Sequence, residues 1–166
     1  SVDATAAELF RVKQERYLQL APRLRLRPGV ERLVRAAAER GVRLAIVSTS
    51  SEPQIHALLR HRLAPHAALF DPVLGQQSGR KVGDDGALYE RCVRELGVAR
   101  ERVVAIEDAE DGFRAARRAG ISCVVVPNDY TEGGDFGGAA RVAASLAEVT
   151  LDELEALCPP LSGSGA

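Results

Sequence analysis

Val103-Val104-Ala105-Ile106-Glu107-Asp108 is an apolar run that ends in two adjacent acids, with Gly112 and the helical stretch Phe113–Ala119 behind it. β-Branched and small apolar residues in an unbroken run suit a strand buried on both faces, as in a parallel sheet. Carboxylates at the C-terminal tip of such a strand lie where open α/β sheets hold their ligands. Hard oxygen donors there suit Mg2+ beside a phosphate. The plainer use of the same residues is structural, with Asp108 as N-cap of the next helix and Glu107 solvated. Whether other strands end in matching chemistry separates the two uses.

Outward from that strand the chain alternates helix and strand. Thr5-Ala6-Ala7-Glu8 reads as a capping box opening a helix to about Leu20. Pro28 starts a helix over Val30–Arg40 that Gly41 stops. Val42–Val47 reads as a buried strand, Glu52–Arg60 as a helix and Ala67–Phe70 as a short strand. A Gly-, Asp- and Gln-rich loop, Asp71–Gly86, leads to a helix over Ala87–Leu96 closed by Gly97. Beyond the acid pair come a helix over Asp111–Ala119, a strand over Ser122–Val126 and a polar loop, Pro127–Gly138. Ala140–Ala144 suits an edge strand, Leu151–Leu157 a last helix, and Pro159–Ala166 a disordered tail. Strands alternating with helices of this length specify an α/β fold with a doubly wound parallel sheet. The first helix stands outside that rhythm, with no strand before it.

Composition narrows the function less than the motifs do. A length of 166 residues suits one domain, and a net charge of -1 leaves no electrostatic footprint for nucleic acid or an anionic membrane. Neither a signal peptide nor a spanning segment is visible, so a cytoplasmic location is the default expectation. Cys92, Cys123 and Cys158 are odd in number and lack a CxxC, which argues against a disulfide framework or a zinc site. His56, His61 and His66 recur every five residues and so share no helix face for a metal. Of the 22 basic residues only Lys13 and Lys81 are lysines. Arginine elsewhere would serve surface solubility, while a compact ammonium has its own uses. Arg114, Arg117 and Arg118 are expected to form a solvated helix face, and Asp111 to be a solvated first-turn acid.

Two further strand ends carry matching groups. Ser48-Thr49-Ser50-Ser51 follows Leu44-Ala45-Ile46-Val47 as a run of hydroxyls at a strand-to-helix turn, which with free backbone N–H groups makes an oxyanion cradle. Lys81 sits in the loop after the next strand, within reach of a phosphate at the sheet's edge. Each group alone has an ordinary reading, as a helix cap or a solvated lysine. In the order hydroxyl, lysine, acid pair on successive crossovers they describe a phosphoryl-transfer site.

That order resembles the haloacid dehalogenase (HAD) superfamily, and within it the CbbY-type branch close to β-phosphoglucomutase. The resemblance spans roughly residues 7–144. It is carried by Lys13-Gln-Glu-Arg-Tyr17, Leu26-Arg27-Pro28-Gly29-Val30, Leu44 to Ser50, Lys81, Ile106-Glu107-Asp108-Ala109-Glu110-Asp111-Gly112 and Ala115-Ala116-Arg117-Arg118-Ala119-Gly120. Tyr130-Thr131 with Asp135-Phe136-Gly137-Gly138-Ala139 points to the CbbY-like branch. The resemblance implies a Rossmann-like HAD core over residues 25–158, preceded over residues 1–24 by the last helix of an α-helical cap. It implies that Ser48 and Lys81 act on the transferring phosphoryl group and that Glu107 and Asp108 hold Mg2+. Thr49 and Ser50 would touch the substrate phosphate, and Lys13, one turn from Tyr17, its distal phosphate. The activity implied is Mg-dependent hydrolysis of a small sugar phosphate, a ketose bisphosphate being one candidate, through an aspartyl-phosphate intermediate. A phosphomutase, or a non-catalytic phosphosugar-binding domain, are the alternatives. No protein partner is evident.

The chain also departs from that pattern. The family's nucleophile and acid/base form an Asp-x-Asp at the end of a first strand, upstream of everything described so far. Asp3-Ala4-Thr5 is the one upstream candidate, and no apolar strand leads into it. The expectation is therefore a core lacking its first strand and its nucleophile. Lys81-Val82-Gly83-Asp84-Asp85-Gly86 also stands where the family has Lys-Pro-x-Pro-Asp, with two extra residues before Tyr89. Those residues put the reach of Lys81 in question.

Overall fold

A computed structural model describes residues 2–81 and 86–160 of the chain. In chain order it contains α1 (Val2–Leu20), α2 (Val30–Glu39), β1 (Leu44–Val47), α3 (Glu52–Arg62), β2 (Phe70–Leu74) and α4 (Ala87–Leu96). There follow β3 (Val104–Glu107), α5 (Glu110–Arg118), β4 (Ser122–Val125), β5 (Arg141–Val142) and α6 (Leu151–Ala156). Among the described residues all strand pairings are parallel, and they form two sheets: β1 beside β2, and β3–β4–β5.

The α/β expectation holds, and β4 displays its physical basis. Cys123 and Val125 face a core made by Phe113, Ala115 and Ala116 of α5 and by Ala119, its C-cap. Val124 and Val126 face the opposite way, onto Leu33, Ala37, Leu146, Val149 and Leu151. Alternate residues of one strand thus bury against helices on opposite sides, which is what double winding requires. The Ala-Ala-x-x-Ala repeat of α5 is fully buried, small side chains letting the helix lie close on the sheet. α4 packs on β1 and β2 and also touches α5, so it bridges the two sheets.

Several local expectations need correction. α1 already runs from Val2, so Thr5 lies inside the helix instead of capping it. Ala64–Leu69 is a 3-10 segment, and the strand expected at Ala67–Phe70 lies later, at Phe70–Leu74. Pro72 lies inside that strand, and among the described residues β2 pairs on one side only, with β1. The register slips between Leu44 and Ile46, opposite Asp71–Pro72. A one-sided strand with a bulge can hold a residue that has no N–H to give. Ile106, expected to be buried on both faces, is 41% exposed. Residues 82–85 of the inserted loop and 161–166 of the expected tail lie outside the described residues.

The arginine-rich composition also has a structural use that solubility does not cover. Arg27 donates to Val126 O at 2.7 Å and Pro127 O at 2.6 Å, and Arg32 to Leu146 O at 3.0 Å and Val149 O at 2.5 Å. Arg43 and Arg100 donate to Leu96 O and Ala119 O, carbonyls at the ends of α4 and α5. Helix ends leave carbonyls without intrahelical partners, and a planar five-donor guanidinium on a long stem reaches them across the fold.

Candidate active site

Glu107 ends β3 and turns inward, with 6% of its surface exposed. Its Oε1 is 2.7 Å from Lys81 Nζ and also accepts the Tyr89 hydroxyl. The Lys81 ammonium sits 5.9 Å from the centre of the Tyr89 ring. Burial pushes the Glu107 carboxyl above its ordinary range, and the neighbouring ammonium pulls it back. A buried carboxylate with two donors is the satisfied form of an otherwise costly group. Lys81 therefore reaches Glu107 despite the two extra residues before Tyr89.

Gly112 belongs to the same arrangement. A Cβ on Gly112 would collide with the Glu107 carboxylate, so Glu-Asp-x-x-x-Gly pairs an inward glutamate with a helix turn that has room for it. Position 112 lies one turn into α5, facing the strand tip.

Asp108 is exposed and points the other way. It does not cap α5, whose N-cap is Ala109 with no side-chain cap. Its Oδ2 accepts from Asn128 Nδ2 at 3.1 Å. The polar loop that follows β4 folds back on this tip and on α5. Phe136 meets Phe113 edge-on at 6.0 Å, Glu110 accepts from Asp135 N at 3.0 Å, and Arg117 donates to Gly137 O at 2.6 Å. Arg117 also stacks 5.5 Å from the Phe113 ring centre, and Arg114 pairs with Glu110. Arg114, Arg117 and Arg118 are exposed, as expected of a solvated helix face, and Arg117 in addition fastens the loop. Asp111 is exposed as expected.

At the tip of β1 the hydroxyl run forms a compact turn. Ser48 Oγ accepts from Ser50 N at 3.0 Å, leaving the Ser48 O–H to donate. Thr49 is exposed and Ser50 half-buried. Ser51 is buried, its N–H bonded to Gln54 Oε1 at 3.1 Å and its hydroxyl without a partner among the described residues. The loop after β2 is tied to this turn: Gln76 N donates to Ser50 O at 2.9 Å, Gly75 N to Glu52 Oε1 at 3.2 Å and the Ser78 hydroxyl to Glu52 Oε1 at 2.5 Å.

The structure thus brings Lys81, Glu107 and Tyr89 together, with Asp108 adjoining. No hydrogen bond among the described residues joins the Ser48–Ser51 turn to them. The link is through packing, since Val47, the residue before Ser48, lies on the core that contains Tyr89 and Ala105. Lys13 is exposed on α1, which rests against α3. A depression of about 330 Å³ lined by Arg114, Arg117 and Arg118 lies on the flank of α5, away from the strand tips. The sequence reading missed Tyr89 as a partner of Glu107 and Asn128 as a partner of Asp108. The signal for Asn128 was its place two residues before Tyr130-Thr131, in a motif that had no assigned role.

A haloacid dehalogenase-like hydrolase family model matches residues 2–120. Protein CbbY of Cereibacter sphaeroides is 37% identical over 146 residues, covering 86% of this chain and 64% of that protein. A CBBY-like protein of Arabidopsis thaliana is 36% identical over 135 residues, covering 81% of this chain and 41% of that protein. The crystal structure of CbbY from Rhodobacter sphaeroides in complex with phosphate superposes with a TM-score of 0.79 at 37% identity, over 89% of this chain and 68% of that one. A mutant of the same protein, in complex with xylulose-(1,5)bisphosphate, gives 0.80 over 90% and 68%. The chain thus spans about two-thirds or less of these relatives, and it belongs to the haloacid dehalogenase-like hydrolases, in their CbbY-like branch.

Proposed function

We propose that this chain is the larger part of a Mg2+-dependent phosphatase acting on a small sugar phosphate. The observation that carries the reading is the buried Lys81–Glu107 pair beside an exposed Asp108 at the tip of a parallel strand. Its relatives' complexes with phosphate and xylulose bisphosphate suggest the substrate class, a ketose bisphosphate.

The roles follow from charge. In phosphoryl transfer the bond from phosphorus to the sugar oxygen breaks as one to an attacking carboxylate forms, and negative charge spreads over the other phosphoryl oxygens. The Ser48 hydroxyl donates to one of those oxygens, and the Lys81 ammonium neutralises charge on the group. Glu107 anchors that ammonium from the inner side of the tip, and Asp108 beside it offers the exposed carboxylate of the cation site. Thr49 and Ser50 meet the substrate phosphate, and Lys13 its distal one.

The residues present fit a magnesium ion. Asp108 has an exposed carboxylate not spent on a helix cap, and Mg2+ takes one or two protein carboxylates with water and phosphate oxygens. Among the described residues no three such ligands cluster, so the remaining ligands come from elsewhere. When bound, the cation supplies charge neutralisation at the phosphoryl oxygens.

The nucleophilic aspartate lies outside these 166 residues, on a strand that seats between β1 and β3. Support comes from the sheet edges: among the described residues β1 pairs with β2 alone and β3 with β4 alone, and Ile106 is 41% exposed. Residues 1–24 are then the last helix of a cap, and residues 25–158 the core without its first strand.

The test is phosphate release from ketose bisphosphates. The chain alone should show none. The full-length protein, or the chain co-expressed with a related enzyme's N-terminal segment bearing the strand and Asp-x-Asp, should show Mg2+-dependent release that requires Ser48, Glu107 and Asp108. Isomerised sugar phosphate in place of free phosphate would make it a mutase. Binding of the sugar phosphate without turnover would make it a binding domain.

A further inference from the structure

We infer that Asn128 and Thr131 are positioning residues for Asp108, a strap that fixes which carboxylate oxygen is left for a cation; this rests on the function proposed above. The strap holds Asp108 at two points. Asn128 Nδ2 donates to Asp108 Oδ2 at 3.1 Å, and the Thr131 hydroxyl donates to Asp108 O at 2.5 Å. The orientation of the amide is set by a separate bond, from Tyr130 N to Asn128 Oδ1 at 2.9 Å. A flipped amide would face an oxygen to the carboxylate and lose that bond, so the –NH2 must face Asp108.

The turn is braced internally as well. Asn128 N donates to Thr131 Oγ1 at 2.9 Å, and Thr131 N to Asn128 O at 2.9 Å. Thr131 Oγ1 therefore accepts from one end of the turn, and of the two carbonyls within its reach, Asp108 O at 2.5 Å and Asn128 O at 3.4 Å, the nearer takes its proton. With Oδ2 engaged, Oδ1 is the open oxygen of Asp108 among the described residues. Asp108 then presents one oxygen in one direction, the monodentate donation that an octahedral, reluctantly dehydrated cation accepts.

Outer partners of this kind typically set metal affinity by about 10–100-fold. In the full-length protein, Asn128→Ala should raise the Mg2+ dissociation constant measured by calorimetric titration by about tenfold or more. Turnover lost at low Mg2+ should be recovered by adding more. Thr131→Val should weaken Mg2+ binding in the same way, and Thr131→Ser, which keeps the hydroxyl, should restore it. Thermal midpoints without Mg2+ should stay close to wild type, since these bonds lie at the surface. Unchanged Mg2+ affinity in both Asn128→Ala and Thr131→Val would overturn the inference. So would affinity that falls only in step with the thermal midpoint, with no rescue by serine, because the strap would then be a structural brace. Wild-type protein that binds no Mg2+ would overturn the functional reading and the inference with it, an outcome read without any variant.

Discussion

The two strand tips that would share a substrate are built differently. At the tip of β3, Glu107 is held by Lys81, by Tyr89 and by the space left at Gly112, while Asn128 and Thr131 hold Asp108. The strand beneath lies in a three-stranded sheet whose central strand buries Cys123, Val124 and Val125 on its two faces. At the tip of β1 the Ser48–Ser51 turn is tied mainly to the neighbouring loop through Glu52, Gly75 and Gln76, and all four residues of β1 are only half-buried. The charged half of the site thus carries its own supports. The hydroxyl half rests on a strand that, among the described residues, has one partner, β2. Groups that must hold like charges together need pre-built partners, whereas neutral hydroxyls tolerate a looser frame.

Substituting the centre of the charged half should have the largest effect. Lys81→Ala leaves Glu107 buried without its ion-pair partner and should cost about 3–5 kcal/mol in a denaturant titration. In the full-length enzyme it should lower turnover by about 10²-fold or more. Lys81→Arg should recover neither fully, because a planar fork replaces a point charge. Wild-type stability and rate for both variants would break the comparison at its strongest point.

A matched glycine pair sharpens it. Gly112→Ala pushes a methyl into the Glu107 carboxylate, and Gly75→Ala places one 2.7 Å from Ser50 O. Each should cost about 1–3 kcal/mol, the scale of overpacking. The two should separate in function: Gly112→Ala should weaken Mg2+ binding by the full-length protein, and Gly75→Ala should raise KM for the sugar phosphate instead. A smaller loss is expected from Tyr89→Phe, which removes one of the two side-chain donors to Glu107. Its denaturation free energy should fall by about 1.5–3 kcal/mol, the range for a hydrogen bond to a charged group.

On the hydroxyl side the readable handle is pH. The Ser78 hydroxyl, with Gly75 N–H, holds the Glu52 carboxyl below its usual 4.5. A carboxyl depressed on folding adds stability above its unfolded value and loses it as pH falls through its folded value. Glu52→Gln should therefore melt lower than wild type at neutral pH, with the gap closing as pH drops below about 4.5. A gap that stayed constant through that range would remove Glu52 from the loop's support.

The smallest difference is in the thiols. Burial pushes Cys92 up to about 11 and Cys123 up to about 12, while Cys158 is half-buried. An alkylating reagent at neutral pH should label Cys158 first. In mild denaturant Cys92, packed with Leu74 and Leu88 on the β1–β2 side, should react before Cys123 in the middle of the three-stranded sheet. The reverse order would show that the half-buried sheet is the sturdier one.

What the sequence determined by itself was local or periodic. The α/β alternation, the helix over Ala87–Leu96 closed at Gly97, the buried Ala-Ala-x-x-Ala face of α5 and the family were all legible, because hydrophobic period, glycine stops and motif spacing are short-range properties. The strand at Phe70–Leu74 was not legible, since its proline sits opposite a register shift in a strand that, among the described residues, pairs on one side. The arginines looked like surface filler because the carbonyls they reach lie 53–117 residues away in cases such as Arg43, Arg27 and Arg32. Tertiary structure alone decided that Glu107 turns inward to Lys81 and Tyr89 while Asp108 turns outward to Asn128. Glu107 is the last residue of its strand and Asp108 already lies in the bend after it, so the two adjacent acids part company there. Which partners wait on each face is set by how the helices and loops pack, and no run of neighbouring residues encodes that.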